Sequence, residues 1–138
     1  MSKEGNQYWN GRNGRIWIDD RKYANAKTFE ATKTNNYEEV PSQNGFGTVQ
    51  VFTGFGIEGT ITLRKVGNEE IIDELRRDKT GQLDVSLVGK TMNHSTGQTE
   101  RIKYIGVTFD SVDLTKFDKD TTVTELELPF KAEDYDIL

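Results

Sequence analysis

A glycine triplet, one histidine and two short acidic clusters are the residues whose types and spacing could do chemistry. Gly54-Phe55-Gly56-Ile57-Glu58-Gly59 spells G-x-G-x-x-G, the pattern that cradles a dinucleotide pyrophosphate. That chemistry needs the glycines to follow a strand and open a helix, so that helix amides face the phosphates. Here they run into Thr60-Ile61-Thr62-Leu63, which is extended in character, and helical sequence begins only later. The glycines therefore read as bulge positions or places of close backbone approach. His94 sits in a polar stretch without a helical partner at i+4, so neither a metal site nor a nucleophile relay can be built on it. Asn93-His94-Ser95 spells a glycosylation acceptor, but no secretory signal accompanies it. Asp118-Lys119-Asp120 and Glu133-Asp134 lack the ligand spacing and turn glycine of a calcium loop and read as solvated faces. With no cysteine, disulfides and thiolate sites are excluded. The expectation is a protein with no catalytic residues, no cofactor and no metal.

The elements around the glycines are more informative. Ile57, Gly59, Ile61 and Leu63 alternate with Glu58, Thr60, Thr62 and Arg64, the period of a strand with one apolar face. A short helix follows. Asn68 is the expected cap, Glu69 and Glu70 suit its positive end, and Arg76, Arg77 and Lys79 suit the other. Ile71, Ile72 and Leu75 share one face, and Gly81 offers a left-handed stop. Leu83, Val85 and Leu87 resume strand alternation. The remainder of the chain reads as strands arranged around this helix.

At 138 residues the chain has the length of a single domain, 1–138. Only 33% of it is hydrophobic and 30% is charged, so the core is thin and stability can be drawn from partners of the same kind. No apolar leader or membrane-length run is present, which reads as soluble and cytoplasmic. Net charge is −5 and no basic cluster interrupts it, unlike a protein that grips nucleic acid.

Along the chain, residues 1–14 form a polar arm carrying Tyr8 and Trp9, either a local cover or a docking point. Arg15 to Asp19 reads as a strand, Asp19 to Lys22 as a turn, and Tyr23 to Thr34 as a strand of small and polar residues on both faces. Asn35 to Gln50 is the longest irregular candidate. With the apolar run Val49 to Phe55, residues 36–52 read as a long loop or hairpin arm, the alternative being a core strand. Met92 to Glu100 reads as a polar loop. Arg101 to Asp110 is a strand with Ile105, Val107 and Phe109 on one face and Tyr104 on the other. Val112, Leu114 and Phe117 are placed to cover a sheet edge. Thr121 to Lys131 is a strand with Leu126, Leu128 and Phe130 inward, and Pro129 marks an edge or terminus.

The chain resembles the tail tube proteins of contractile-tailed phages and phage-like elements, the family typified by the PBSX defective prophage. The resemblance is carried by Asn13-Gly14-Arg15-Ile16-Trp17-Ile18-Asp19, Ala26 to Lys33 around Phe29-Glu30-Ala31, Glu38-Glu39-Val40, and Thr53 to Leu63. The ending Leu128-Pro129-Phe130, with Glu133-Asp134-Tyr135-Asp136-Ile137-Leu138, is the most specific part. It implies a mainly β fold with one short α-helix, a β-barrel or sandwich of the tail tube type. It implies six copies per ring, rings stacked into a hollow tube, and the tail sheath, baseplate and tape-measure proteins as partners. DNA would pass through the lumen without specific binding in a phage; in a contractile bacteriocin the same tube would puncture a membrane. The places implied are the host cytoplasm during assembly and then the tail of the particle.

Strands polar on both sides suit a sheet continued around a lumen by neighbouring subunits. Six copies at −5 make about −30 per ring, which repels a polyanion from the wall. The candidate lumen-facing residues are Glu30, Thr32, Glu58, Thr60, Thr62 and Asp84. The candidate inter-subunit contacts are Tyr8, Trp9, Tyr37, Val40, Phe46, Val49, Val51 and Phe52. The alternative is a monomeric β-sandwich that binds a sugar or peptide, which requires Trp9, Trp17 and Tyr104 to meet in one exposed groove.

Overall fold

The structure is a computed structural model that describes residues 14–67, 69–81, 83–93 and 96–138. The strands are β1 (Arg15–Ile18), β2 (Arg21–Lys22), β3 (Ala26–Pro41), β4 (Thr48–Arg64), β5 (Val85–Asn93), β6 (Gln98–Phe109), β7 (Glu125–Ala132) and β8 (Asp134–Ile137). The helix α1 (Glu70–Arg77) lies between β4 and β5. All pairings are antiparallel, in the order β2-β1-β5-β6-β7-β4-β3, with β8 added on β6. The path thus ends at β2 and β3, which are not laddered to each other. The sheet curls between them, and Phe29 of β3 crosses to pack on Tyr104 of β6 at 5.9 Å between ring centroids.

The core is one cluster on the inside of this curl. Ile16 and Ile18, Ile57, Ile61 and Leu63, Val85 and Leu87, Tyr104 and Val107, and Leu126, Leu128 and Phe130 all turn inward. Alternation along each strand produces that face. Each such aliphatic or aromatic side chain contributes about 1.5–3 kcal/mol when fully buried. The helix caps one side by burying Ile71 and Ile72, with Leu75 half-buried beside them.

The helix is anchored by tertiary contacts. Asn68 is outside the described residues, and the N-cap position is Glu69, whose side chain makes no capping bond. Its carboxylate instead accepts from the Val66 amide and the Asn25 side chain. The Tyr23 hydroxyl accepts from the Ile71 amide at 3.1 Å, satisfying one of the orphan donors of the first turn. Arg21 reaches both Glu70 and Glu74. The helix stops at Asp78, whose carboxylate accepts from the Thr80 amide and hydroxyl and from the Leu83 amide. Gly81, in a left-handed conformation, comes after that stop and does not supply it.

Several sequence expectations are corrected. The stretch from Asn35 to Gln50 is regular for most of its length: β3 and β4 pair as far as Pro41↔Thr48, leaving residues 42–47 as the loop. Met92 to Glu100 is likewise mostly ladder, pairing through Asn93↔Gln98. Tyr104 does not face away from Val107. Gly106 has φ +66° at an irregularity in the β5–β6 register, and the extra residue brings Tyr104 and Val107 to the same inner side while Ile105 turns out. Pro129 does stand at a local edge: it pairs with Thr60 of β4, while β6 pairs with β7 only at Phe130 and Lys131. Its carbonyl accepts from the Asp110 amide, and its nitrogen, on the same side, has no proton to return, so the β6–β7 ladder ends at Phe109↔Phe130. Leu114 and Phe117 cover no edge and are exposed, whereas Val112 packs on the core.

Candidate assembly surfaces

β3 and β4 run together far beyond the rest of the sheet. β4 pairs with β7 only from Ile57 to Arg64; Thr48–Gly56 has β3 as its ladder partner. Residues 36–52 are therefore a two-stranded ribbon standing off the body. A bulge between Asn36 and Tyr37 starts it, with Gly54 at φ +150° and the Thr53 hydroxyl donating to the Asn36 carbonyl. At its tip, the Ser42 amide donates to Gly47 and the Gly45 amide to Ser42.

Alternation gives the ribbon apolar groups on both faces. Tyr37 and Phe52 are cross-strand partners with rings 5.8 Å apart, beside Glu39 and Gln50, which are hydrogen-bonded to each other. The opposite face carries the pair Val40↔Val49 and Val51 opposite Glu38. Tyr37, Val49, Val51 and Phe52 are exposed, Val40 is half-buried, and Phe46 at the tip is 100% exposed. Tyr8 and Trp9 lie outside the described residues. An isolated two-stranded hairpin is marginal in water, so such a ribbon wants cover. The outer edge of β3 is a further unpaired row of backbone donors and acceptors, the kind of edge another chain can extend.

The root of the ribbon is clamped to the body. The Lys33 ammonium lies 5.0 Å from the Phe55 ring centroid and 5.7 Å from that of Tyr135 on β8. The two rings meet edge to face at 5.9 Å. The C-terminal residues thus form a strand that pairs with β6 and props the hairpin.

Most of the candidate lumen residues share one face. Glu30↔Thr60 and Thr32↔Glu58 are cross-strand pairs, and Glu58↔Lys131 and Thr62↔Glu127 continue the row onto β7. Glu30, Thr32 and Glu58 are exposed and Thr60 half-buried. Thr62 is only 8% exposed, walled by its partners Thr28 and Glu127. Asp84 is not on this face; it precedes β5 in the other half of the sheet. The row is acidic with Lys131 set within it. Among the described residues, no group of His, Cys, Asp and Glu is placed to hold a metal ion; His94 is outside them.

The aromatics required for a carbohydrate groove do not converge. Trp17 is half-buried on the outer side of β1, with the Arg101 guanidinium 5.5 Å from its ring centroid. Tyr104 is buried in the core between Phe29 and Phe130, where burial raises its phenol pKa. Trp9 is outside the described residues.

A curled antiparallel sheet with a long hairpin and one flanking helix is the fold of tube components of contractile injection systems. A chain of the PVC sheath–tube complex, an extracellular contractile injection system, superimposes with a TM-score of 0.76 at 11% identity, over 95% of this chain and 91% of that one. The cap that terminates the tube of the anti-feeding prophage gives 0.76 at 9% identity, over 95% and 91%. The chain belongs to the phage tail tube protein family, whose model matches residues 2–138. It is 31% identical over 130 residues to the phage-like element PBSX protein XkdM of Bacillus subtilis, covering 92% of this chain and 88% of that protein. It is a structural protein of a phage-type tail and not an enzyme.

Proposed function

We propose that this chain assembles as hexameric rings that stack into the inner tube of a tail. The observation that carries the reading is the ribbon of residues 36–52, apolar on both faces and continuous with the unpaired edge of β3. An edge sixteen residues long is an aggregation hazard for a monomer and an asset for a subunit whose neighbours complete the sheet. The face of Glu30, Thr32, Glu58 and Thr60 suits a channel wall. It is polar and acidic, so DNA can pass without the counterion release that makes a basic wall adhesive. Sheath, baseplate and tape-measure proteins are the partners such a tube takes in a phage, and in a bacteriocin-like particle the tube itself breaches a membrane. Assembly in the host cytoplasm precedes incorporation into the particle.

Sedimentation velocity across a concentration series, with negative-stain microscopy of the concentrated protein, tests the reading. Rings or tubes are the expected outcome. A monomer with covered edges at every concentration overturns it.

A further inference from the structure

The two ends of the strand path leave a seam in the curl. β2 covers β1 only at Trp17 and Ile18, and β3 has β4 on its other side, so the starts of β1 and β3 face each other unladdered. Between them lies a cleft of about 410 Å³. Its floor is apolar, made by Ile16 of β1, Phe29 of β3, and Ile102 and Tyr104 of β6. A Cβ at residue 89 would stand 2.9 Å from Phe29 Cε1, so Gly89 of β5 leaves that ring room to lie against the strand. The rim carries Arg15, Lys27, Lys90 and Glu100, and Lys27 is already paired to Glu125. Rim charges of both signs select no ionic partner, so the floor decides what fits.

One segment of this chain starts at the cleft. Gly14, the first described residue, is part of the lining, so the thirteen residues before it leave from the wall. β5 pairs with β6 through Thr91, Met92 and Asn93, whereas its ladder to β1 stops at Arg15↔Lys90. The chain before Gly14 therefore arrives beside three rungs of β5 that β1 does not reach. Alternation puts Asn93 on the same face of β5 as Leu87 and Gly89, the side of the cleft. Asn93 is only 3% exposed although it stands on the outermost rung, where its ladder partner Gln98 is exposed.

The sequence of that segment suits the floor. Its aromatic residues are Tyr8 and Trp9, followed by Asn10-Gly11 and Asn13-Gly14, pairs that favour tight chain reversal. Trp9 is five residues from Gly14, a reach of at most about 17 Å. An aromatic side chain removes about 150–250 Å² from water when it finds apolar cover.

We infer that Tyr8 and Trp9 seat in this cleft of their own chain and close the seam between β1 and β3. Connectivity selects this occupant: the tether at the rim gives it an effective concentration that an arm from a second copy does not match in dilute solution. The arm covers the start of β3 and leaves the ribbon half of that strand open to neighbours. The inference concerns the lone chain and does not depend on the tube reading.

Because the chain has no cysteine, a single introduced one can carry a probe. Glu100→Cys, labelled with a bimane that tryptophan quenches on contact, should be dim in the dilute monomer and brighten when Trp9→Phe is added. The second measurement is the emission of Trp9 in the Trp17→Phe chain, where it is the sole indole. That emission should be blue-shifted and several-fold less open to acrylamide than free tryptophan. Both signals should be the same at every concentration below assembly. Quenching that grows with concentration assigns the cleft to the arm of a second copy and overturns the inference. A bright bimane that ignores Trp9→Phe, or an emission typical of solvent-exposed tryptophan, overturns it as well.

Discussion

Phe130 lays its ring over Gly59, its cross-strand partner between β7 and β4. A Cβ at residue 59 would stand 2.5 Å from Phe130 Cζ and closer still to the carbonyl oxygen of Glu30 on the other side. Gly59 is therefore a place where backbone and ring close together, and it lets Phe130, the largest fully buried side chain among the described residues, stack on Phe29, with ring centroids 5.9 Å apart. The glycines that mimic a phosphate loop have distinct structural duties: Gly54 sits in the bulge that launches the ribbon, and Gly59 admits Phe130.

Gly59→Ala is expected to destabilise the fold by about 1–3 kcal/mol or more, because the obstructing carbonyl belongs to a paired strand and cannot swing aside. Urea unfolding of the purified chain measures it. A midpoint unchanged from the parent would show that β3 and β4 can separate locally at no cost.

The β1–β2 turn is built from Asp19 and Asp20, with φ of 52° and 65°. Both are left-handed, a conformation that favours glycine. Asp19 has a second duty, accepting from the Ser86 amide, whereas Asp20 is exposed. Asp20→Gly should therefore stabilise the chain by up to about 1 kcal/mol through relief of the left-handed penalty, and Asp19→Gly should gain less or lose. Thermal melts of the pair separate the two contributions.

None of the buried core residues lies between 36 and 52. Replacing Tyr37 to Phe52 by a two-residue Asn-Gly turn should leave secondary structure and cooperative unfolding intact while abolishing sedimentation of large species. Collapse of the circular dichroism spectrum would instead make the ribbon part of the folding unit.

Glu125 has its pKa held below the usual carboxylate value, first by the hydrogen bond from Lys27 and further by the charges of Lys27, Arg64 and Lys116. Asp78 is lowered likewise, first by the Thr80 hydroxyl. A carboxylate with a depressed folded-state pKa stabilises the fold above its unfolded value and loses that contribution as pH falls through the folded one. Stability should thus decline on acidification below about pH 4.5, the ordinary value for Glu125. Glu125→Gln should lower stability at neutral pH and flatten that acid slope. Denaturation midpoints at neutral and acidic pH, parent against variant, check it.

Much of the layout is legible in the residues alone. Alternation marks β1, β4, β5 and β7, since each has an apolar face against the common core. The helix is visible because Ile71, Ile72 and Leu75 repeat at helical spacing between acidic and basic ends. Where alternation serves no core the reading falters. Residues 35–50 look irregular because a ribbon standing clear of the body has no reason to be apolar on one side only. Tyr104 is assigned to the wrong face because one extra residue at Gly106 reverses every direction before it. Pro129 reads correctly as the end of a pairing, because a residue without an N–H cannot continue the ladder to β6.

Residue type by itself determined that this chain has strands, one short helix, no metal or nucleophile chemistry built on cysteine, and more exposed apolar arm than a thin core explains. Those are local properties, set by periodicity and by which side chains are present. Tertiary structure alone decided that Glu30, Thr32, Glu58 and Thr60 share a face and that the C-terminal residues become a strand that pairs with β6 and meets the root of the hairpin. These depend on pairing register, and register is settled by contacts between strands far apart in the chain.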